Sequence, residues 1–308
     1  MEFYMDRYYW GVDLGGTKIE CIVIDRNTDQ PIVRERIETE SVKGYQHILG
    51  QIKILIERCA NIVGHYPNAV GFGTPGTLDP VHGVMKNCNT TALNGQPLDK
   101  DLNETLGIHA VIANDANCFA LAETHFGVVK RIKPEAQIVF GIIMGTGVGS
   151  GIVVDGKCLY GCHGIAGEWG HNVLEPNGAD CYCGKQGCVE TVISGKGLER
   201  YYYELSSQAL SLPEIVEQAK QNNHEAVKTI TRLREYFGLA VARIINVLDP
   251  EIIVIGGGVG NIEALYQDIE TQILPHLFNT ELNTLIVKPE LGDSAGVYGA
   301  AALVKNIS

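Results

Sequence analysis

The sequence predicts an α/β protein made of two similar domains that face a cleft. Apolar segments of strand length alternate with longer segments of helical periodicity, the pattern of largely parallel sheets covered by helices. The chain has 308 residues, and single hydrophobic cores stop growing at about 250–300 residues. Residues 11–25 and 141–155 also resemble each other without a gap, each running from an apolar strand through a glycine turn to a second apolar strand and an aspartate. Each half of the chain is therefore predicted to begin with the same hairpin, the alternative being coincidence between two ordinary glycine turns.

The individual elements follow from the period of the apolar residues. Short apolar runs bounded by turn residues indicate strands, and these cover residues 8–12, 19–25, 69–73, 110–113, 138–144, 151–154, 251–255 and 284–287. Longer segments with apolar residues three and four apart indicate helices, and these cover residues 44–63, 224–248, 261–277 and 295–304. No stretch of low complexity separates them, so no disordered linker is predicted.

The composition argues against two classes of partner. With 24 Lys and Arg against 36 Asp and Glu, the formal net charge is -12, whereas binding to a nucleic-acid backbone depends on basic residues that neutralise phosphates. No apolar run approaches the roughly 18 residues of a membrane span. Glu2, Asp6 and Arg7 interrupt the N-terminal segment, where a signal peptide needs a continuous apolar core. A cytoplasmic protein is predicted, with neither nucleic acid nor membrane as a partner.

The first glycine turn has the residues of a phosphate site. It follows the first predicted strand and has the sequence DLGGTK. Gly15 and Gly16 permit positive φ and carry no Cβ, so the N–H groups of the turn can approach a phosphate closely. Thr17 and Lys18 add a hydroxyl donor and a positive charge. Asp13 at the strand end suits Mg²⁺, which keeps several waters and takes few carboxylates.

Two further glycine turns follow apolar strands. One is GTGVG at residues 145–149, which includes Thr146 and Gly147, and the other is GGG at residues 256–258, with Gly257 at its centre. None of the three turns matches the P-loop or the dinucleotide-binding fingerprint. A tight turn alone explains any one of them, but three at strand ends predict a nucleotide whose phosphates lie between the two halves of the chain.

The strongest chemical signal is a cluster of one histidine and three cysteines. His171 is followed by Cys181, Cys183 and Cys188 in a short glycine-rich segment. Three thiolates and an imidazole are the donor set of a closed tetrahedral Zn²⁺ site, which is typically structural. A redox pair is the alternative, but it normally has C-x-x-C spacing in a thioredoxin-like context, which is absent here. The other six of the nine cysteines are scattered and predict small buried side chains rather than a disulfide framework.

Three carboxylates have positions suited to a substrate. Glu168 lies three residues before His171 and Glu190 two residues after Cys188. A metal would therefore fix the geometry of both, although solvated surface charges are the alternative. Asp115 belongs to the sequence NDAN after an apolar strand, where it is either the N-cap of a helix or a functional group, because ligands of α/β folds collect at the carboxyl ends of strands.

Taken together, these motifs resemble the ROK family of sugar kinases over essentially the whole chain. The segments that carry the resemblance are, in order, DLGGTK, GTPG, NDAN, GTGVGSG, GEWGH, CYCGKQGC and GGG. Within the family, KNCNTTALNGQPLDKDL, AGEWGHN and CYCGKQGCVET look most similar to bacterial fructokinases and manno(fructo)kinases. The resemblance implies two actin-like, ribonuclease-H-like domains around a central cleft, the first of residues 1–119 with 295–308 and the second of residues 120–294 with the zinc segment. It also implies a homodimer.

The resemblance implies a role for each motif, and Asp115 matches the catalytic base. The positions that contact the sugar are matched by Gly76, Asn89, Asn114, Asp115, Glu168, His171 and Glu190. The positions that face ATP and Mg²⁺ are matched by Asp13, Gly15, Gly16, Thr17, Lys18, Thr146, Gly147 and Gly257. The zinc ligands are matched by His171, Cys181, Cys183 and Cys188.

The implied activity is ATP-dependent phosphorylation of a hexose, at the 6-hydroxyl of fructose and also of mannose or glucose. Asp115 would accept the proton of the attacking hydroxyl. The closest alternative is an N-acetylhexosamine kinase acting on N-acetylglucosamine or N-acetylmannosamine, because that branch shares the phosphate, base and zinc motifs. A sugar-sensing repressor of the same family is disfavoured, since only ten residues precede Gly11. An actin-like ATPase would leave the sugar-side carboxylates and the metal cluster unexplained.

Overall fold

The computed structural model describes residues 7–305. The argument against a signal peptide concerns mainly residues outside this range. The outer ends of the first predicted domain also lie outside it. The strands within it are β1 (Tyr8–Leu14), β2 (Lys18–Asp25), β3 (Gln30–Glu38), β4 (Ala69–Thr74), β5 (Thr77–Asp79), β6 (Val84–Lys86), β7 (His109–Asn114), β8 (Ile138–Met144), β9 (Val148–Val154), β10 (Lys157–Cys158), β11 (Ile252–Gly256) and β12 (Leu285–Val287). The α-helices within it are α1 (Tyr45–Val63), α2 (Leu98–Leu106), α3 (Asp115–His125), α4 (Val128–Ile132), α5 (Val189–Ile193), α6 (Gly195–Ser206), α7 (Leu212–Lys220), α8 (His224–Leu248), α9 (Gly257–Gly260), α10 (Ile269–Ile273) and α11 (Ala295–Ala302).

The first sheet has the strand order β3-β2-β1-β4-β7. β1 pairs antiparallel with β2 and parallel with β4, and β4 pairs parallel with β7. Successive side chains of β1 point to opposite faces, so Trp10 and Val12 are buried with residues of α1 and α2, whereas Tyr9 is buried with residues of α11. Helix α11 lies very close to the sheet, because a Cβ on Gly71 would be 1.8 Å from the carbonyl oxygen of Ala300.

The second sheet has the strand order β10-β9-β8-β11-β12, so corresponding strands occupy the same places in both sheets. β8 is parallel to β11, β11 is parallel to β12, and β9 is antiparallel to β10. The two similar windows of sequence are the strand pairs β1–β2 and β8–β9, each joined by a glycine turn. The predicted α/β class with a repeated hairpin is therefore confirmed.

The predicted helix over residues 261–277 is wrong. The structure has 3-10 turns at Glu263–Leu265 and Leu274–His276, with only the short α10 between them. Asp268 has a φ of 47°, in the left-handed region that cannot continue an α-helix, and Pro275 has no N–H to donate. The apolar spacing continues through these interruptions, which is why periodicity alone predicts one long helix.

Several elements are missing from the sequence prediction for identifiable reasons. β3 alternates charged and apolar residues and leaves most of its side chains at least partly exposed, as an edge strand does. The sequence predicts the start of a helix at Asp115 but not the extent of α3, because this helix is buried around most of its circumference and has no polar face to give a helical period. Helix α7 is short and begins at a capping box in which Ser211 and Glu214 exchange hydrogen bonds with each other's backbone.

The chain forms two compact units. Unit 1 comprises the described residues up to Glu135, Gly151–Ala166, and those from Glu290 onward, and unit 2 comprises Ala136–Ser150 and Gly167–Pro289. Helix α3 and the residues that follow it up to Glu135 lie in unit 1, whereas the sequence prediction ends the first domain's N-terminal part at residue 119. Among the described residues, no helix is both long and apolar enough to cross a membrane.

Candidate active site

The carboxyl ends of three parallel strands bring predicted site residues to one edge of the first sheet. Asp13 of β1 is in register with Gly73 of β4, and Thr74 of β4 is in register with Asn114 of β7. Asp115 follows directly as the first residue of α3. This is the edge at which parallel sheets bind their ligands, so the fold places Asp13, Asn114 and Asp115 where the sequence predicts.

Asp115 is not the N-cap of its helix. Asn114 has that role, since its side-chain oxygen accepts a hydrogen bond from the N–H of Asn117 at 2.8 Å. The Asp115 carboxylate accepts backbone N–H groups at the start of its own helix, including that of Ala116 at 2.8 Å. The side chain is open to solvent, yet densely surrounded by protein atoms, and this desolvation raises its pKa. A recessed, accessible carboxylate of raised basicity is suited to accept a proton from a substrate.

Asp13 lies beside this carboxylate. Burial and the negative charges of Asp115 and Glu20 raise the pKa of Asp13 from its ordinary value of 3.8 to about 6. Its carboxylate rests against the backbone of Gly296, where a Cβ would be 2.6 Å from Oδ2. Arg36 donates a hydrogen bond to Glu20 at 2.7 Å from the neighbouring strand, which limits the repulsion that Glu20 exerts on Asp13. Two close carboxylates of this kind suit a hydrated Mg²⁺ ion, which would neutralise their charge.

The raised pKa of Asp13 has a consequence for stability. The folded protein binds the proton on the Asp13 carboxyl more tightly than the unfolded chain does. The contribution of this proton to the free energy of unfolding is therefore fully present below a pH of about 4 and is lost as the pH rises through about 6. We expect Asp13→Asn to raise the free energy of unfolding by about 1–3 kcal/mol at pH 8 without Mg²⁺ or nucleotide. This advantage should vanish at pH 4. Urea unfolding of both proteins across this range checks it, and a difference that is the same at every pH would contradict it.

Gly76 and Asn89 lie on two segments of unit 1 that contact each other. The N–H of Asn89 donates to the carbonyl oxygen of Pro75 at 3.2 Å. A Cβ on Gly76 would be 2.4 Å from the Sγ of Cys88, so only glycine fits there. The side chain of Asn89 is exposed and free to face a ligand. The close packing of Gly76 against Cys88 therefore fixes these two segments to each other.

The first glycine turn differs from its prediction in one respect. Neither Gly15 nor Gly16 has a positive φ, so the expectation of left-handed backbone is wrong. Close approach favours glycine instead, because a Cβ on Gly15 would be 2.9 Å from the carbonyl oxygen of Lys18. A Cβ on Gly16 would be in tight contact with the Oγ1 of Thr90, at 3.1 Å. Thr17 and Lys18 are exposed at the turn, as a phosphate site needs.

In unit 2, Glu190 joins the second glycine turn to the start of α5. Its Oε2 accepts a hydrogen bond from the N–H of Val148 at 3.0 Å. A Cβ on Gly147 would be 2.3 Å from the same oxygen, so a larger residue here would displace the Glu190 carboxylate. Thr146 beside it is exposed. A predicted sugar-side carboxylate and a predicted phosphate-side turn therefore contact each other directly.

Glu168 directly precedes a short 3-10 turn, Trp169–His171, which ends at His171. The N–H of His171 donates to the carbonyl oxygen of Glu168 at 3.3 Å. Trp169 is buried and packs edge-on against Phe140 of β8, with ring centroids 5.9 Å apart. The buried indole thus anchors the turn to the second sheet. A single helical turn therefore separates Glu168 from His171.

The four predicted metal ligands come together. One ligand atom from each of His171, Cys181, Cys183 and Cys188 lies within 4.8 Å of the others. His171 Nδ1 is 3.5 Å from Cys181 Sγ, and the Sγ atoms of Cys183 and Cys188 are 3.6 Å apart. Bonds of about 2.0 and 2.3 Å from a tetrahedral zinc ion to nitrogen and sulfur require ligand separations of about 3.5 and 3.8 Å. The donor set and its spacing therefore fit Zn²⁺.

All nine cysteines are free thiols, so the structure holds no redox disulfide at Cys181 and Cys183. Of the six scattered cysteines, four are buried as predicted. Cys158 is only partly buried, and Cys162 is exposed. The prediction of a buried side chain is therefore wrong for Cys162.

Helix α8 holds the segment between His171 and the cysteines, a feature that sequence reasoning missed. Glu175 accepts hydrogen bonds from Arg232 at 2.7 Å and from the hydroxyl of Tyr236 at 3.0 Å. Arg243, further along α8, donates to the carbonyl oxygen of Val173 at 2.9 Å. The helical spacing of Arg232, Tyr236 and Arg243 on one side of α8 was the available signal, but nothing in the sequence identifies the partner segment.

Unit 2 also contains a cavity of about 1040 Å³. Two of the three glycine turns line it, through Gly145 and Thr146 and through Gly258. Lys196 in the first turn of α6 and Arg234 of α8 add positive charge, and Val216 of α7 adds apolar surface. Of the residues that line the cavity, the sequence predicted only Thr146 and the two glycine turns as part of a nucleotide site. Gly257, next to this wall, has a φ of 82°, and its predicted tight turn is present.

A duplicated α/β fold with these turns and this metal cluster defines the class of the protein, and the chain belongs to the ROK family, whose family model matches residues 9–307. The ROK sugar kinase predicted from the motifs is confirmed. The chain is 36% identical to the N-acetyl-D-glucosamine kinase of Histophilus somni (strain 129Pt) over 306 residues, which cover 96% of this chain and 98% of that protein.

Solved structures show the same fold over nearly the whole chain. A ROK hexokinase from Thermus thermophilus has a TM-score of 0.85 at 29% identity, covering 96% of this chain and 97% of its own. A ROK family glucokinase from Streptomyces griseus, in complex with glucose and AMPPNP, has a TM-score of 0.72 at 28% identity and covers 96% of this chain and 98% of its own. The actin-like α/β fold implied by the motifs is therefore confirmed.

Proposed function

We propose that the protein transfers the terminal phosphate of ATP to the 6-hydroxyl of N-acetylglucosamine. The observation that carries the proposal is the 36% identity to an N-acetyl-D-glucosamine kinase over 96% of the chain. Further relatives with the same name, from Yersinia enterocolitica and Pasteurella multocida, match over the same share of the chain. These relatives favour the N-acetylhexosamine alternative of the sequence prediction over fructose, for which they give no support.

In this proposal Asp115 is the general base that takes the proton from the attacking hydroxyl. Its raised pKa brings its basicity nearer to neutral pH, where a general base works best. Asn89, Asn114, Glu168, His171 and Glu190 would orient the sugar through their polar atoms, and Gly76 would line its site. Phosphoryl transfer asks the protein mainly for alignment and charge stabilisation.

The metal ions have separate tasks in this proposal. Asp13, with Asp115 nearby, would hold hydrated Mg²⁺, which when bound neutralises phosphate charge. His171 and the three cysteines would hold Zn²⁺, which when bound fixes the geometry of their segment. Glu190 lies two residues after Cys188 and accepts a hydrogen bond from the N–H of Val148 at 3.0 Å. Zinc would therefore act on the sugar indirectly, through the placement of Glu168, His171 and Glu190.

The cavity of unit 2 is the proposed nucleotide site. Its glycine turns supply backbone N–H groups that can bind phosphate. In unit 1, Gly15, Gly16, Thr17 and Lys18 keep the phosphate-binding role that the family resemblance implies. Lys196 lies in the first turn of α6, where the helix dipole also favours an anion. The volume of about 1040 Å³ is sufficient for a mononucleotide.

Filling the cavity tests the nucleotide site. We expect Val216→Trp to raise the KM for ATP by about tenfold or more, because overpacking a site typically costs about 1–3 kcal/mol. The affinity for sugar should change little. Val247→Trp is the matched control, since Val247 is 88% exposed on α8 and does not line the cavity. Equal KM values for ATP in both variants would contradict the assignment.

The substrate is tested by sugar-dependent release of ADP from the purified protein. N-acetylglucosamine, N-acetylmannosamine, glucose, mannose and fructose are compared at equal concentrations with ATP and Mg²⁺. We expect the highest kcat/KM for N-acetylglucosamine. A higher value for fructose would overturn the substrate and leave the kinase, whereas ADP release that no sugar stimulates would overturn the kinase itself. The homodimer implied by the family is checked by light scattering of the same preparation.

A further inference from the structure

Tyr182 lies between two of the metal-binding cysteines and contacts the metal-binding histidine. Its hydroxyl oxygen is 2.9 Å from the Nε2 of His171. The two rings are nearly perpendicular, with an interplanar angle of 86° and centroids 5.0 Å apart. The side chain is nevertheless 84% exposed. An exposed ring with its hydroxyl fixed by a hydrogen bond presents a polar group at a constant position, which is how a binding surface is preorganised.

The direction of this hydrogen bond follows from the metal site. The Nδ1 of His171 is the nitrogen that faces the cysteines, at 3.5 Å from the Sγ of Cys181. A metal ligand must lack a proton, so with Zn²⁺ on Nδ1 the proton of the neutral imidazole would reside on Nε2. In the zinc-loaded protein His171 would then donate and the oxygen of Tyr182 would accept. The hydroxyl proton of Tyr182 is then left to donate to another group.

The hydroxyl of Tyr182 also lies near the two carboxylates of the proposed sugar site. Partial burial of the hydroxyl and the negative charges of Glu190 and Glu168 raise its pKa to about 12. Of the three unit 2 residues that the family resemblance assigns to the sugar, Tyr182 contacts His171 directly, and the carboxylates of Glu168 and Glu190 are near enough to raise its pKa. Because the Nε2 of His171 is hydrogen-bonded to the hydroxyl of Tyr182, His171 would orient the sugar through that hydroxyl.

We infer that Tyr182 is a sugar-contacting, specificity-determining residue whose hydroxyl donates a hydrogen bond to an oxygen of the hexose. This inference rests on the proposed function, in which a hexose binds beside Glu168, His171 and Glu190. The hydrogen bond between Tyr182 and His171 fixes the donor before the sugar arrives, so little conformational entropy is lost on binding. The contact discriminates among hexoses, since a sugar without the matching oxygen leaves the donor unpaired.

Calorimetric binding of N-acetylglucosamine without ATP tests the inference on the zinc-loaded protein. We expect Tyr182→Phe to weaken binding by about 5- to 10-fold, the effect of one lost hydrogen bond. Zinc content, measured by atomic emission, should equal that of the unsubstituted protein. Tyr203→Phe is the matched control, because Tyr203 lies in the same unit at 55% exposure and should bind the sugar normally.

A series of monodeoxy sugars then identifies the contact. One analogue should bind the unsubstituted protein more weakly than the parent sugar does, and the same analogue and the parent sugar should bind Tyr182→Phe equally. Equal or tighter sugar binding by Tyr182→Phe would overturn the inference, as would loss of zinc from this variant, which would make Tyr182 a positioning residue for His171. Failure of the unsubstituted protein to bind any hexose would instead overturn the proposed function.

Discussion

Asp115→Asn is expected to remove most of the turnover of the protein while leaving the sugar bound. The amide keeps the shape of the side chain and can still accept the N–H of Ala116, which Asp115 accepts at 2.8 Å, so the start of α3 should be preserved. It cannot accept a proton from the attacking hydroxyl. A positioned general base contributes about 10²–10⁴-fold, so kcat should fall by about that factor and sugar affinity by much less. Steady-state kinetics and calorimetric sugar binding measure the two effects separately.

Asp155→Asn provides the matched control for this substitution. Asp155 lies in unit 1, is exposed, and has a φ of 48° at a turn, a conformation that asparagine adopts as readily as aspartate. We expect its kcat to equal that of the unsubstituted protein. Near-normal turnover of Asp115→Asn would end the assignment of Asp115 as the base. A parallel loss of sugar affinity would indicate a binding role instead.

Cys183→Ser is expected to release zinc and to weaken sugar binding. A hydroxyl is a much poorer zinc ligand than a thiolate, and loss of a group that merely orients a ligand already costs about 10–100-fold in metal affinity. Without the metal, the ends of the segment that carries His171 and Cys188 are no longer held together. Glu190, on the first turn of the helix that follows Cys188, then loses its position. We expect sugar affinity to fall by about tenfold or more.

The control for the zinc prediction is Cys162→Ser. Cys162 is also exposed, but it lies outside the four-residue cluster. Its zinc content and sugar affinity should equal those of the unsubstituted protein, both measured on the preparations used for Cys183→Ser. If Cys183→Ser retained a full complement of zinc, the proposed metal site would be wrong. If it lost zinc but kept its sugar affinity, the coupling between metal and sugar would be wrong.

The sequence predicts the parts of this fold that depend on local patterns. Apolar strands such as β8 and the long amphipathic α8 have the predicted bounds, because a buried strand is a short continuous apolar run and a helix buried on one face has a period of 3.6 residues. The clustering of His171 with the three cysteines was predicted because the four residues are close in sequence and chemically distinctive. Asp115 alone was ambiguous, and only the structure shows that Asn114 takes over the capping role.

What the sequence could not predict depends on contacts distant along the chain. The bond from Val148 to Glu190 joins residues 42 positions apart, and that from Arg232 to Glu175 joins residues 57 positions apart. Neither residue type nor spacing identifies such partners. The contact of Tyr182 with His171 is closer in sequence, at 11 positions, but it depends on how the metal segment folds back on itself.

Phosphorus NMR of a reaction mixture with ATP, Mg²⁺ and N-acetylglucosamine tests the central claim most directly, with the unsubstituted protein and Asp115→Asn compared side by side. We predict that the unsubstituted protein forms ADP and a sugar 6-phosphate in equal amounts, and that Asp115→Asn forms almost none of either. Inorganic phosphate released at the same rate with or without sugar, or a sugar phosphate formed equally well by Asp115→Asn, would contradict the account.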